Sequence, residues 1–414
     1  MKQSVFSRIL SVALLLLTLL SVVGLPAYAE EDWLPPYSDS VDWNQFRGQN
    51  LSINVYNWGE YISVNDGEEG AFDTNAEFER LTGIKVNYTN FASNEEMYAK
   101  LKSGGASYDI IIPSDYMIAR MINENMLEEL NFDNIPNFSL IMDKFKVGDY
   151  DPEGRYSVPY TWGLVGIIYN KTLVDPEDNV ASWDILWNEK YAKDILMFSN
   201  SRDAFAISQF RLGYSVNTTD ESELEQAAYE LSKQKVLVQA YVMDEIFDKM
   251  GGGEAALAPY YAGDAITMMA DNPDLDFAVP EEGTNVFVDA VCIPKGAKNK
   301  AAAELYINFL CETRVALKNI EFIGYSSPHS AAYELLDEET RNSISYPSDE
   351  ILAKCESFVA LPNATTKKLD ALWTDLMSAT GSNPWMTPIM LGAAIILIIF
   401  INVYRYHKKK NADS

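Results

Sequence analysis

Six consecutive residues, Tyr56-Asn57-Trp58-Gly59-Glu60-Tyr61, set aromatic rings and a carboxylate around one glycine. An aromatic face attracts an ammonium through its quadrupole, and a neighbouring carboxylate pairs with the same charge. Trp58, Glu60 and Tyr61 therefore suit the capture of an organic cation. The plainer alternative is a strand-end Trp and Tyr packed in a core. Further along, Asp203 ends the run Asn200-Ser201-Arg202-Asp203, and Tyr260, Tyr261 and Asp264 fall within seven residues. Asp289 stands between Val288 and Ala290 and reads also as a satisfied buried acid. Tyr260 and Tyr261 read equally as core residues or as tyrosine ligands for ferric iron. Acids on several loops would also serve a carboxylate-based hydrolase, but no nucleophile elbow accompanies them. There are two histidines, one in a basic tail. His329 alone is too little for a His-based triad or a histidine zinc site. Gly251-Gly252-Gly253 lacks the Lys-Ser/Thr of a phosphate loop and reads as a helix end and turn.

The elements that must position these residues alternate. Leu51 to Tyr56 alternates apolar and polar residues, as a strand does. Phe72, Phe78 and Leu81 mark a helix ended by Gly83, and Ile84–Tyr88 is the next strand. Ser93-Asn94-Glu95-Glu96 is a capping box opening a further helix. Ile110-Ile111-Ile112 is a fully apolar strand with a structural Asp109 before it, and Ser114 caps a helix through Met121. Tyr156–Gly163 is extended, and a second α/β region begins at Leu164. Ile195–Phe198 is a strand, and helices are expected over Leu224–Lys233 and Val242–Met250. Asn285–Pro294 is a strand carrying Asp289, and Ala301–Leu310 is a helix. Strands alternating with helices predict an α/β fold with a parallel sheet covered on both faces. Ligands of such sheets bind past the carboxyl ends of the strands.

The 414 residues carry a formal net charge of −28. Lys2 and Arg8 contribute +2 and the tail from Arg405 contributes +3, so the middle carries −33. Such a surface repels nucleic acid and attracts cations. Lys2, Arg8, the apolar run Ile9–Val23 and Ala27-Tyr28-Ala29 form an export signal, cut after Ala29. No cysteine follows to carry a lipid. Residues 385–404 are uncharged and mostly apolar, long enough for the roughly 20 residues that span a bilayer. The basic tail 405–414 belongs on the cytoplasmic side. Residues 30–50, with Pro35-Pro36, read as a linker. Cys292, Cys311 and Cys355 show no metal spacing, and buried thiols are the default.

Four stretches in order carry a family resemblance: Tyr56–Tyr61, Tyr108–Tyr116, Ile293–Lys300 and Ile323-Gly324-Tyr325-Ser326-Ser327-Pro328. With them, residues 51 to about 371 closely resemble the spermidine/putrescine-binding proteins of bacterial ABC importers. The resemblance implies a two-lobed type II periplasmic-binding-protein fold closing on a polyamine. Lobe 1 would take 51–160 and 290–333, and lobe 2 would take 161–289 and 334–380. It implies a ligand set of Trp58, Glu60, Tyr61, Ser114, Tyr116, Asp203, Tyr261, Asp264, Asp289 and Tyr325, with no cofactor, metal or catalytic residue. Putrescine or spermidine would be captured and delivered to ABC permease subunits with their ATPase. The receptor would be a monomer outside the cytoplasmic membrane, anchored by 385–404. Four positions depart from the family pattern, one of them Tyr261, which lies where the family usually has Trp. Gly59 replaces a hydroxyl residue, Asn200 stands where spermidine-preferring members carry Asp, and Phe287 stands where Trp is common.

Overall fold

The computed structural model describes residues 34–378, except 66, 68–70 and 106. The export signal, the membrane helix at 385–404 and the basic tail lie outside the described residues. Among the described residues no helix is long and apolar enough to cross a membrane.

Two α/β lobes share one hydrogen-bonded path of strands. The strands are β1 (Ser52–Trp58), β2 (Lys85–Phe91), β3 (Ile110–Ile111), β4 (Ser157–Asn170) and β5 (Ile195–Phe198). After them come β6 (Val238–Val242), β7 (Leu257–Tyr261), β8 (Leu275–Ala278), β9 (Thr284–Cys292) and β10 (Cys355–Glu356). Their order is β2-β1-β3-β9-β4-β7-β5-β6, with β10 on β9 and β8 on β4. β1 runs parallel to β2 and β3, and β5 runs parallel to β6 and β7. Between these parallel sets, β4 and β9 pair antiparallel from Ser157 to Leu164, and β4 goes on to pair with β7 and β8. One continuous strand thus runs where sequence reading expected a new region at Leu164. Its register shifts between Pro159 and Thr161, the irregularity at which a strand tolerates a proline. Gly163 keeps the path open, because a Cβ there would meet the Phe287 ring at 3.0 Å.

Successive strand residues point to opposite faces, and here both faces are covered. Ile53, Val55, Ile110 and Ile112 enter one hydrophobic cluster, with the helices Lys300–Leu310 and Thr313–Ile323. Tyr56 and Ile111 enter the other, which continues through Trp183, Phe198 and Phe205. Local signals act as expected at the helix Asn94–Lys102. Ser93 accepts from Glu96 N at 3.1 Å, and the Glu96 carboxylate reaches back to Ala92 N at 3.0 Å.

Two expectations need adjustment. The helix expected over Val242–Met250 is shorter, Glu245–Lys249, and Val242 itself closes strand β6, which the sequence reading does not place. Val238 and Val242 are buried and paired with β5, so the strand pairing holds Val242 and delays the start of the helix. Residues 34–50 are a packed arm and not a linker. Tyr37 stacks on Phe309 at 6.0 Å, Trp43 is buried edge-on to the same ring, and Tyr37 donates to Glu77 at 2.7 Å. Cys292, Cys311 and Cys355 are free thiols.

Asp109 ties this frame together. Its buried carboxylate accepts from Asn54 N at 2.9 Å, Lys298 N at 3.1 Å and Asn299 N at 3.0 Å. Removing it strands three backbone donors, so Asp109→Ala should lower stability by about 2–4 kcal/mol. Urea denaturation checks this, and an unchanged midpoint would refute it.

Candidate functional site

The carboxyl ends of β1, β3, β5, β6 and β7 converge on one cavity. Trp58 ends β1 and Tyr61 lies in the turn after it, and Ser114 and Tyr116 come from the chain after β3. Asp203 follows β5, Tyr261 ends β7, and Asp264 opens the helix Ala262–Asp271. The central strand β9 presents Asn285, Phe287 and Asp289 at alternate positions of one face. Tyr325, after the αL residue Gly324 (φ 74°), completes the wall. Nine of the ten expected ligand residues line the cavity. Glu60 does not: it is exposed at the mouth.

Three of the four acids lining the cavity are held by tyrosines. Tyr61 donates to Asp289 Oδ2 at 2.5 Å and also bonds the Thr161 hydroxyl. Tyr325 donates to Asp264 Oδ2 at 2.9 Å, and Tyr261 to Asp203 Oδ2 at 2.9 Å. Asn200 Nδ2 adds a second donor to Asp203 at 2.6 Å. The other oxygen of Asp289, Oδ1, is buried with no donor in hydrogen-bond geometry, although the Ser114 side chain acts on the same carboxyl. Burial pushes Asp203 up to about 7, Asp264 to about 8 and Asp289 to about 6. The buried Arg202 lies close by, but its guanidinium stacks on Phe358 at 4.5 Å and donates to Asn217 at 2.9 Å. Trp58 is fixed by a bond from Nε1 to Ile112 O at 2.9 Å and packs on Phe91 at 4.5 Å. Tyr61 stands edge-on to Tyr325 at 4.8 Å, and Tyr261 edge-on to Phe287 at 5.4 Å. Ser114 exchanges two bonds with Asn94, while the Tyr116 hydroxyl donates to Glu95 at 3.0 Å. A set of carboxyls without paired cations, walled by flat rings, is complementary to a slender molecule with separated positive charges.

Residues 106–355 match the family of bacterial extracellular solute-binding proteins. A spermidine/putrescine-binding periplasmic protein of Salmonella typhimurium is 36% identical over 309 residues, covering 74% of this chain and 86% of that protein. This chain belongs to that family of solute-binding proteins. The putrescine-binding periplasmic protein SpuD of Pseudomonas aeruginosa is 28% identical over 349 residues, covering 80% of this chain and 92% of that one. Among solved structures, the spermidine/putrescine ABC transporter substrate-binding protein PotD from Streptococcus pneumoniae superposes with a TM-score of 0.66. Its identity is 35%, over 79% of this chain and 99% of that one. The resemblance read from the four sequence stretches is thereby borne out.

Several lining residues of this solute-binding protein escaped sequence reading. Asn285 and Phe287 share the face of Asp289 at a spacing of two, and that periodicity could have identified them. Asp244 was hidden because β6 was not read as a strand and the stretch from Val242 was read as helix, so no strand end stood before it. Phe358 follows a two-residue strand, β10, that leaves no local pattern. Tyr260, a ligand under the iron alternative, is buried and stacks on Phe198 at 5.3 Å while meeting Tyr261 at 5.1 Å. Among the described residues no group of three or more His, Cys, Asp or Glu side chains is placed to hold a metal ion.

The site acids set a pH dependence. They titrate above their usual 3.8 when folded, so above about pH 4 the folded state binds more protons than the unfolded state. Their contribution to the stability of the ligand-free protein therefore falls as pH rises through about 6 to 8. His329, lowered by burial, acts oppositely below its usual 6.5. Asp264→Asn keeps an acceptor for Tyr325 and removes the buried charge. It should stabilise the ligand-free protein at pH 8 by roughly 1–3 kcal/mol, and by less at pH 5.5. Denaturation at the two pH values checks this, and a destabilised variant at pH 8 would count against it.

Proposed function

We propose that this protein is an extracytoplasmic polyamine receptor that captures putrescine or spermidine between its lobes and delivers it to an ABC permease with its ATPase. The observation that carries the reading is that Asp203, Asp264 and Asp289, three of the four acids lining one cavity, are each held by a tyrosine and not by an ion-paired cation. A buried ion without a partner costs several kcal/mol, so each ligand ammonium needs a carboxylate and each site carboxylate needs an ammonium. Methylenes between the amines require flat apolar walls, which Trp58, Tyr261 and Phe287 supply. Each cation–π contact contributes about 0.5–2 kcal/mol, against a total of about −8 kcal/mol for micromolar binding. The names of the relatives support the same ligands.

The reading extends to ligand residues, lobes and location. We assign Trp58, Tyr61, Ser114, Tyr116, Asp203, Tyr261, Asp264, Asp289 and Tyr325 to direct contact, with Glu60 acting from the mouth. Lobe 1 is taken as 51–160 with 290–333 and lobe 2 as 161–289 with 334–380. The division of β4 between β9 and β7 supports that scheme. The receptor acts as a monomer and binds without catalysis. Export rests on the N-terminal signal and on the periplasmic location in the relatives' names. Anchoring by residues 385–404 rests on their hydropathy and the basic tail.

Calorimetric titration with putrescine and spermidine in parallel tests the function. At least one should bind at micromolar affinity or tighter, and failure of both would sink the reading. Asp289→Asn and Trp58→Ala should each weaken binding tenfold or more, about 1.4 kcal/mol, with folding intact; wild-type affinity in both would remove the site assignment. Because a bound cation favours the ionised acids, affinity should fall as pH drops from about 8 to 5.5. A flat or rising profile would contradict the pairing. Truncation after Ser382 should release the protein from washed membranes, and retention there would refute the anchor.

A further inference from the structure

The turn after β1 and the loop after β6 come from opposite ends of the strand order, yet they meet at the mouth of the cavity. A Cβ built on Gly59 would lie 2.0 Å from Asp244 Oδ2 and 2.9 Å from its Cγ. A Cβ and the Asp244 carboxylate cannot share that space, so glycine lets the carboxylate lie against this backbone and any other residue would force it to turn away. The next residue, Glu60, has φ +46°, in the left-handed region that non-glycine residues avoid. Such a conformation persists where the surroundings impose it, and it clusters at ligand clamps.

The charges acting on Asp244 are those of Glu60 and Glu245. Those acting on Asp264 are Asp244, Glu60 and Asp289. All of them are acidic. With the cavity empty, bringing the turn and the loop together opposes like charges across the seam. An ammonium placed among them turns that repulsion into attraction. The neighbouring acids Asp289 and Asp203 remain for a second positive group.

We propose that Asp244 is a specificity-determining residue. Seated against Gly59 across the seam, it joins Glu60 and Asp264 in holding one terminal ammonium of a linear diamine, so that closure requires a ligand cationic at that end. The inference rests on the polyamine reading and adds a residue and a selection rule to it. Glycine at position 59, a departure from the family pattern, then has a physical reason: the space of a side chain is given to the opposing carboxylate.

The experiment is calorimetric titration of the full-length protein, in detergent, with putrescine and with n-butylamine, which has the same carbon chain and one charge. Asp244→Asn should weaken putrescine binding about 5- to 30-fold and shrink the preference for putrescine over butylamine by a similar factor. Gly59→Ala should weaken putrescine binding about tenfold or more, through the collision with Asp244. In an Asp244→Gly background the same Gly59→Ala change should have little effect, a coupling that a double-mutant cycle reads directly. Wild-type putrescine affinity in Asp244→Asn, or a Gly59→Ala loss of equal size in both backgrounds, overturns the inference and leaves the polyamine reading intact. An unsubstituted protein that binds neither putrescine nor spermidine overturns both.

Discussion

Carboxyls buried without counter-cations are the constraint on which the rest of this structure depends. Asp203, Asp264 and Asp289 are 5%, 7% and 4% exposed, and each is held by a tyrosine hydroxyl. A phenol donates to one carboxylate oxygen and fixes its direction, but it brings no positive charge. A lysine or arginine in its place would neutralise the acid and remove the need for a ligand. The nearby Arg202 donates to Asn217 and lies over the Phe358 ring, and it acts on Asp203 through its charge without an ion-pair contact. The empty site is thus stable enough to exist and still electrostatically unfinished. A bound cation stabilises the folded form by mass action as well as by contact.

Holding such acids in place requires an unusually central strand. β9 lies in the middle of the path, between β3 and β4, and bears Asn285, Phe287 and Asp289 on its cavity face. Its register is set on one side by β4 and on the other by Cys292 opposite Ile111. Close approaches around it are bought by glycines. A Cβ on Gly263 would lie 2.2 Å from the Tyr325 ring, so Tyr325 reaches Asp264 only because residue 263 has no side chain. Gly324 sits at φ 74° with its would-be Cβ 2.7 Å from Gly263 O. These contacts join the turn before Ser326 to the helix that begins at Ala262, and they hold one corner of the cavity.

Much of this was legible in the sequence, because the signals were local. Alternation in Leu51–Tyr56, the cap at Ser93, the apolar run Ile110–Ile112 and the strand around Asp289 each reflect the short-range periodicity of the element they form. The aromatic and acidic residues at strand ends followed, since ligands gather there. What stayed hidden was set by distant partners. Val238–Val242 became a strand because β5 offered it hydrogen bonds, and with it Asp244 became a strand-end residue. The arm 34–50 shows Pro35-Pro36 and no periodicity, and its order comes from Phe309 and Glu77 far along the chain. Glu60 had the right chemistry, but the left-handed turn places it at the mouth and outside the lining.

The end of the cavity nearest Asp203 shows how charge and shape divide the selection. Asn200 is fully used: its Oδ1 accepts from Arg202 N at 2.9 Å, capping the helix Ser201–Leu212, and its amide donates to Asp203. An aspartate at that position could also cap the helix, but it would bring a second negative charge beside Asp203 and lose the donated bond. Negative charge among the lining residues that follow β5 therefore resides in Asp203. Next to it, Tyr116 and Phe358 meet edge to face at 5.6 Å and form an apolar wall. A methylene chain gains from such a wall, while an ammonium there would lie near the Arg202 guanidinium, 4.5 Å from the Phe358 ring. The buried arginine thus limits where positive charge can sit, much as the tyrosine-held acids invite it, and the cavity reads a ligand by the positions of its charges along its length.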